Sequence, residues 1–116
     1  MVVDYAKEKN TLILNFDGEI DHHSCAEIAV ISDDAIKKYL PKKLIFNFKH
    51  VKFMDSAGIG MVIGRYKQLI RFGGKAEMIN VNNEVKRIFN MVGIFKIIPL
   101  VEENEVAPGG SSLKVH

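Results

Sequence analysis

The sequence predicts a single α/β domain, built on a mixed and largely parallel sheet of about five strands with three to four flanking helices. Three observations carry this. The chain has 116 residues, enough for one core and too few for two independent ones. Apolar runs of strand length alternate with stretches of helical period in the order β-β-α-β-α-β-α-β, which places crossover helices between parallel strands. Helix breakers (Pro41, the pair Gly73-Gly74, and Gly93) stand where each helical stretch ends.

The elements follow in order. Residues 2–6 and 11–16 read as two strands of a hairpin around the polar turn Lys7-Glu8-Lys9-Asn10. In the second run Leu12, Leu14 and Phe16 alternate with Thr11, Ile13 and Asn15, so one side faces the core, and Asp17-Gly18 closes the strand. Ser24-Cys25-Ala26-Glu27 has the form of a capping box, in which serine and glutamate satisfy the orphan amides of a helix start. The helix that begins there recurs in apolar residues at Ile28, Ala29, Ala35, Ile36, Tyr39 and Leu40, carries Lys37 and Lys38 near its end, and stops at Pro41. Leu44-Ile45-Phe46-Asn47-Phe48 is a buried central strand. A second helix spans residues 56–72, and residues 75–81 form the next strand. A third helix starts at Asn82, with Val85, Ile88, Phe89 and Val92 on one face. Ile97-Ile98-Pro99-Leu100 fits only a short edge strand, because proline donates nothing to a ladder. Residues 1–101 thus form the domain, and residues 102–116, with Pro-Gly-Gly-Ser-Ser, are expected to be a disordered tail.

Composition excludes several classes of function. Apolar residues at 47% and charged residues at 26% place the chain among globular domains rather than disordered ones. A net charge of +2, with both signs interleaved, is a poor electrostatic footprint for nucleic acid. The single cysteine, Cys25, rules out an internal disulfide and multi-cysteine zinc motifs. No apolar run approaches the roughly 18 residues of a membrane span, and the start lacks a secretory pattern, so the expected location is the cytoplasm.

Each cluster that could carry chemistry also has an ordinary structural role. Asp21-His22-His23 invites a metal, but adjacent side chains point apart and no later His or Cys supplies the spacing of a site, so no metal is expected. Gly58-Ile59-Gly60-Met61-Val62-Ile63-Gly64 follows a strand and opens a helix, yet three residues separate its last two glycines where a dinucleotide loop needs two. It also lacks the Gly-Lys-Ser/Thr ending of a P-loop. Asp55-Ser56 fails the nucleophile-elbow pattern because Met54 replaces its first glycine. The plain reading of Ser56 is a helix N-cap. No cofactor is expected, and nothing marks an enzyme; nucleotide binding or hydrolysis remains the alternative function from another class.

The second helix stands out for its other face. Ile59, Val62, Ile63, Tyr66, Leu69 and Ile70 form one apolar stripe, expected to be core. Opposite lie Ala57, Met61, Gly64 and Gln68, flanked by Gly60 and Arg65. Two glycines on a solvated helix face each cost about 1 kcal/mol relative to alanine, so this small-residue surface reads as a place for close approach by another protein.

The same residues carry a family resemblance. Gly18-Glu19-Ile20-Asp21-His22-His23, then Phe53-Met54-Asp55-Ser56-Ala57-Gly58-Ile59-Gly60, then Gly64-Arg65-Tyr66-Lys67 resemble the bacterial anti-sigma-factor antagonists, which are STAS domains. Within that family they look most like its sporulation branch, which acts on the anti-sigma factor of sigma F. The likeness runs over residues 2–100, and its most specific part is the segment D-S-[SA]-G-[IL]-G.

The resemblance implies a mixed sheet flanked by helices and a binding function rather than an enzymatic one. The expected partner is an anti-sigma factor serine kinase holding ATP or ADP, bound by the unphosphorylated form so that sigma F is released. Ser56 is the implied phosphorylation site, and a phosphatase of the PP2C type would restore the active form. An antagonist of a stress-response anti-sigma kinase is the alternative inside the family. Around Ser56, the expected partner-binding residues are Glu19, Asp21, Asp55, Ala57, Gly58, Gly60, Met61, Gly64, Arg65 and Gln68, on a chain that is monomeric when free. A phosphate at Ser56 adds roughly −1.5 to −2 charge. The helix dipole tolerates it, whereas a partner carboxylate about 5 Å away repels each added charge by roughly 3 kcal/mol at an effective dielectric near 20.

Overall fold

The computed structural model describes residues 1–103. The expected tail therefore lies, from residue 104 on, outside the described residues. Four strands form one sheet in the order β1 (Val2–Ala6), β2 (Thr11–Ile20), β3 (Lys43–Met54) and β4 (Lys75–Ile79). The β1–β2 pair is antiparallel, with Ala6 opposite Thr11 across a single 3-10 turn, Lys7–Lys9. The β2–β3 and β3–β4 pairs are parallel and are connected by α1 (Cys25–Tyr39) and α2 (Ala57–Ile70). A third helix, α3 (Asn83–Asn90), follows β4, capped by the Asn82 side chain accepting the Val85 N–H at 2.9 Å.

Two strands run further than their apolar runs predicted. Asp17-Gly18 is not the end of β2, which continues through two shifts of register: between Asn15 and Asp17, and again between Gly18 and Glu19, β3 carries one extra residue, and Gly18 supplies a left-handed φ of +68°. The strand resumes and ends at Ile20, which is fully buried beside Met54 of β3. This extension carries both strands to the same end of the sheet, where the residues of interest lie. The expected fifth strand is reduced to one bridge. Leu100 pairs in parallel with Met78, while Pro99 O accepts the Met78 N–H and Val101 donates back to Met78 O, each at 2.9 Å. Pro99 has no N–H with which to extend the ladder.

The main core lies between one face of the sheet and all three helices. Leu12, Leu14, Phe16, Leu44, Phe46 and Phe48 meet Ile28 and Ile36 of α1, Met61, Val62 and Leu69 of α2, and Val85 and Phe89 of α3. The other face carries a small second cluster, Ile13, Ile45 and Ile79, against which Val101 packs. No helix among the described residues is long and apolar enough to cross a membrane.

Candidate functional site

At the C-terminal end of β2 and β3 the chain turns twice into a helix, and the two turns touch. The Asp55 N–H donates to Ile20 O at 3.1 Å, continuing the strand ladder by one bond past Met54. Asp55 then divides its carboxylate between two elements. Its Oδ1 accepts the Ala57 N–H at 2.8 Å, at the start of α2, and its Oδ2 accepts the His22 N–H at 3.4 Å, in the loop before α1. Glu19, exposed, stands in register with Phe53, and the His22 contact brings the loop that follows Asp21 against Asp55, the neighbour of Ser56.

The capping roles differ from the expected ones. Ser24 and Ser56 both take right-handed helical angles, and neither makes a side-chain cap hydrogen bond. The aspartates do the capping. Asp21 Oδ1 accepts the N–H groups of His23 and Ser24, each at 3.0 Å, so no capping box forms between Ser24 and Glu27. Asp is as good a cap as Ser, and in both turns it comes earlier in the chain, so the helical conformation starts before the serine. The Ser24 backbone amide, followed by other local groups, holds the Asp21 carboxyl below its ordinary range. Cys25, half-buried at the start of α1, has its thiol pushed up first by burial and then by the nearby negative charges of Asp55 and Asp21.

Ser56 is exposed, and its hydroxyl has no hydrogen-bond partner among the described residues. Gly60, one turn further along α2, is exposed as well, and a side chain at Gly60 or Gly64 would meet nothing within 4 Å. Ala57 and Gly64 are half-buried. Of the expected small-residue face, Gly60 and Gly64 are therefore open, with exposed Ser56 at its head.

Four other expected contact residues are placed differently. Met61 is 4% exposed and belongs to the main core, and Gly58 is buried where a Cβ would overlap the Met54 side chain and stand 3.3 Å from Ile20 Cγ2. Arg65 reaches sideways to α1, its Nε 2.8 Å from Asp33 Oδ1, a contact of opposite charges not aligned as a hydrogen bond. Gln68 turns its Oε1 into a buried position with no donor among the described residues. The expected core stripe is correspondingly rotated: Ile70 is 47% exposed, and Ile59, Ile63 and Tyr66 are half-buried. The reason is that α2 has two neighbours, the sheet and α1, and packing against α1 consumes the flank that carries Met61 and Arg65.

Phe53 was missed by sequence reasoning. It is 48% exposed next to Glu19, and the signal was present, because a bulky apolar residue flanked by buried Met54 must point away from the core in a strand. Lys67, exposed, extends the open face of α2 beyond Gly64. Among the described residues no three His, Cys, Asp or Glu side chains converge as a metal site.

Comparison with known proteins adds family to this geometry. The STAS domain family model matches residues 3–107. The anti-sigma F factor antagonist of Paenibacillus polymyxa is 35% identical over 104 residues, covering 90% of this chain and 88% of that one. The solved structure of unphosphorylated SpoIIAA, an anti-sigma factor antagonist, superposes with a TM-score of 0.77 at 28% identity, covering 90% of each chain. The phosphorylated form of the Bacillus SpoIIAA superposes with a TM-score of 0.70 at 27% identity, covering 90% of this chain and 94% of that one.

Proposed function

Because this chain belongs to the STAS family, among its anti-sigma-factor antagonists, we propose that its unphosphorylated form binds an anti-sigma factor that is also a serine kinase. That binding releases the sporulation sigma factor F, and phosphate on Ser56 ends it. The observation that carries this reading is the state of Ser56: exposed, without an internal hydrogen bond, and at the head of an open strip through Gly60 and Gly64. A hydroxyl that the fold does not use is free to accept a phosphoryl group, and small residues beside it let a partner backbone come close.

The kinase would dock, with ATP or ADP bound, on Ser56, Ala57, Gly60 and Gly64, and the rim of Glu19, Asp21 and Asp55 would set its orientation. Met61, Gly58 and Gln68 would support the face from below, and Arg65 would brace α2 against α1. In this reading the chain acts in the cytoplasm as a monomeric binding module, without catalysis, nucleic acid or membrane, and a PP2C-type phosphatase returns it to the active form. Phosphorylation leaves the fold alone and acts at the interface, where charge meets a docked partner.

Incubation with the cognate kinase and ATP, followed by mass spectrometry of the peptide spanning Ser56, should find one phosphate there, and its appearance on another residue would refute the assignment. Gly64→Leu probes the strip. The variant should fold with stability equal to or up to about 1 kcal/mol above wild type, from gained helix propensity. Kinase binding should weaken by about tenfold or more, an overpacking cost of about 1–3 kcal/mol.

A further inference from the structure

The turn into α2 contains two residues of equal capping ability, Asp and Ser, and only the first is used. Asp55 holds the Ala57 N–H at 2.8 Å and the His22 N–H at 3.4 Å, and its own N–H is fixed on Ile20 O at 3.1 Å. Ser56 comes next, already helical at φ −64° and ψ −17°. A capping serine sits instead in extended conformation, with its oxygen folded over the amides two and three residues ahead. Were Ser56 to take that post, the helix would begin one residue later. The two starts compete for the same residues and treat the hydroxyl in opposite ways. When Asp55 caps, the hydroxyl is free, and when Ser56 caps, it is bonded to the amides of α2 itself.

We propose that Asp55 is a positioning residue for phosphoryl transfer to Ser56: by occupying the cap and anchoring it to the loop before α1, it keeps the Ser56 hydroxyl free and presented to a kinase. The proposal rests on the reading of Ser56 as the phosphate acceptor. In the transfer, Ser56 Oγ forms a bond to the γ-phosphorus of ATP, the bond from that phosphorus to the ADP oxygen breaks, and the hydroxyl proton passes to a base of the kinase. Asp55 does not take that proton, since its two oxygens are engaged by the amides of Ala57 and His22. Its geometry therefore matters more than its charge.

Charge and cap can be separated by substitution in the full chain, with steady-state phosphorylation by the cognate kinase and ATP as the readout. Asp55→Asn keeps a capping oxygen and removes the charge, and its kcat should exceed that of Asp55→Glu and Asp55→Ala about five- to tenfold because Asn and Asp cap equally well. Asp55→Glu keeps the charge but is a poor cap, and like Asp55→Ala it should lower kcat about five- to tenfold, the population shift that a lost cap of ordinary size produces. KM should hold in Asp55→Glu, which keeps the rim charge, and rise in Asp55→Asn and Asp55→Ala, which remove it, so the cap is read from kcat alone. Asp55→Ser should restore the rate. Should the alanine variant fail to fold, the asparagine and glutamate pair decides alone. Asparagine as slow as glutamate, or glutamate as fast as wild type, overturns the positioning role. Wild-type chain that takes no phosphate on Ser56 overturns the parent reading instead, and mass spectrometry distinguishes that result from the others.

Discussion

The two helix starts at the end of the sheet are built from the same pair of residue types and fixed in different ways. In the first, Asp21 and Ser24 bind one another: the Asp21 N–H donates to Ser24 Oγ, which in turn donates to Glu19 O, both at 3.0 Å. In the second, the Ser56 side chain takes no part, and the start of α2 is held by Asp55 and by Gly58, buried tightly against Met54. The matching position in α1, two residues past the serine, is Ala26, which is exposed. One start is thus secured by its serine and the other by packing. A helix start pinned by a buried glycine can leave its serine idle, and an idle exposed hydroxyl is what a modifying enzyme needs.

Substitution at the glycine should break this arrangement most severely. Gly58→Val would drive two methyl groups into Met54 and Ile20, and it should destabilise the chain by about 1–3 kcal/mol, read as a lowered urea midpoint at constant slope. Ala26→Val, at the matching place in α1, should stay within about 0.5 kcal/mol of wild type, as exposed substitutions do. Equal losses at the two positions would show that α2 is not the packed start.

A smaller effect should separate the two serines. Ser24→Ala removes two hydrogen bonds and should cost about 1–2 kcal/mol. Ser56→Ala removes none, so stability should stay within about 0.5 kcal/mol, while phosphorylation is lost entirely and kinase binding remains. A Ser56→Ala variant as destabilised as Ser24→Ala would mean that Ser56 caps α2 after all.

Much of this was legible in the residues. The alternation of apolar runs gave the hairpin and the parallel crossovers, and Asn82 and Gly93 marked both ends of the third helical region, with Gly93 in the left-handed region at φ +65°. The continuation of β2 through Asp17-Gly18 was not legible, because Asp-Gly signals a turn equally well and only the pairing with β3, which carries the extra residue at each shift, keeps the strand going. Nor was the phase of α2. A helical wheel assumes one buried stripe, and α2 has buried contacts on two sides, so Met61 moved from the expected contact face into the core. Ser56 was found through family resemblance. Its idle state could not be read, since D-S-x-G leaves the choice of cap to geometry.

The finest difference concerns the charge on Asp21. Its carboxylate accepts the Ser24 and His23 amides, the first being the larger cause of a pKa held below the ordinary aspartate value. A carboxyl whose pKa is depressed by folding binds its proton more weakly in the folded chain than in the unfolded one. Its contribution to stability is therefore complete above the unfolded value and is lost as pH falls through the folded one, so the window lies below the ordinary aspartate value. Asp21→Asn keeps an oxygen for the same amides and removes the titration. Urea midpoints of the two chains should differ slightly in favour of wild type at neutral pH, because a carboxylate accepts amide hydrogen bonds more strongly than a carboxamide and suits a helix start. The difference should close as pH falls through and below the ordinary carboxylate range, where the wild-type carboxyl is also neutral. A gap that persists unchanged in acid would assign Asp21 a purely geometric role, the same role that the two amide bonds give Asp55, and the two helix starts would then differ in their serines and in the packing at Gly58.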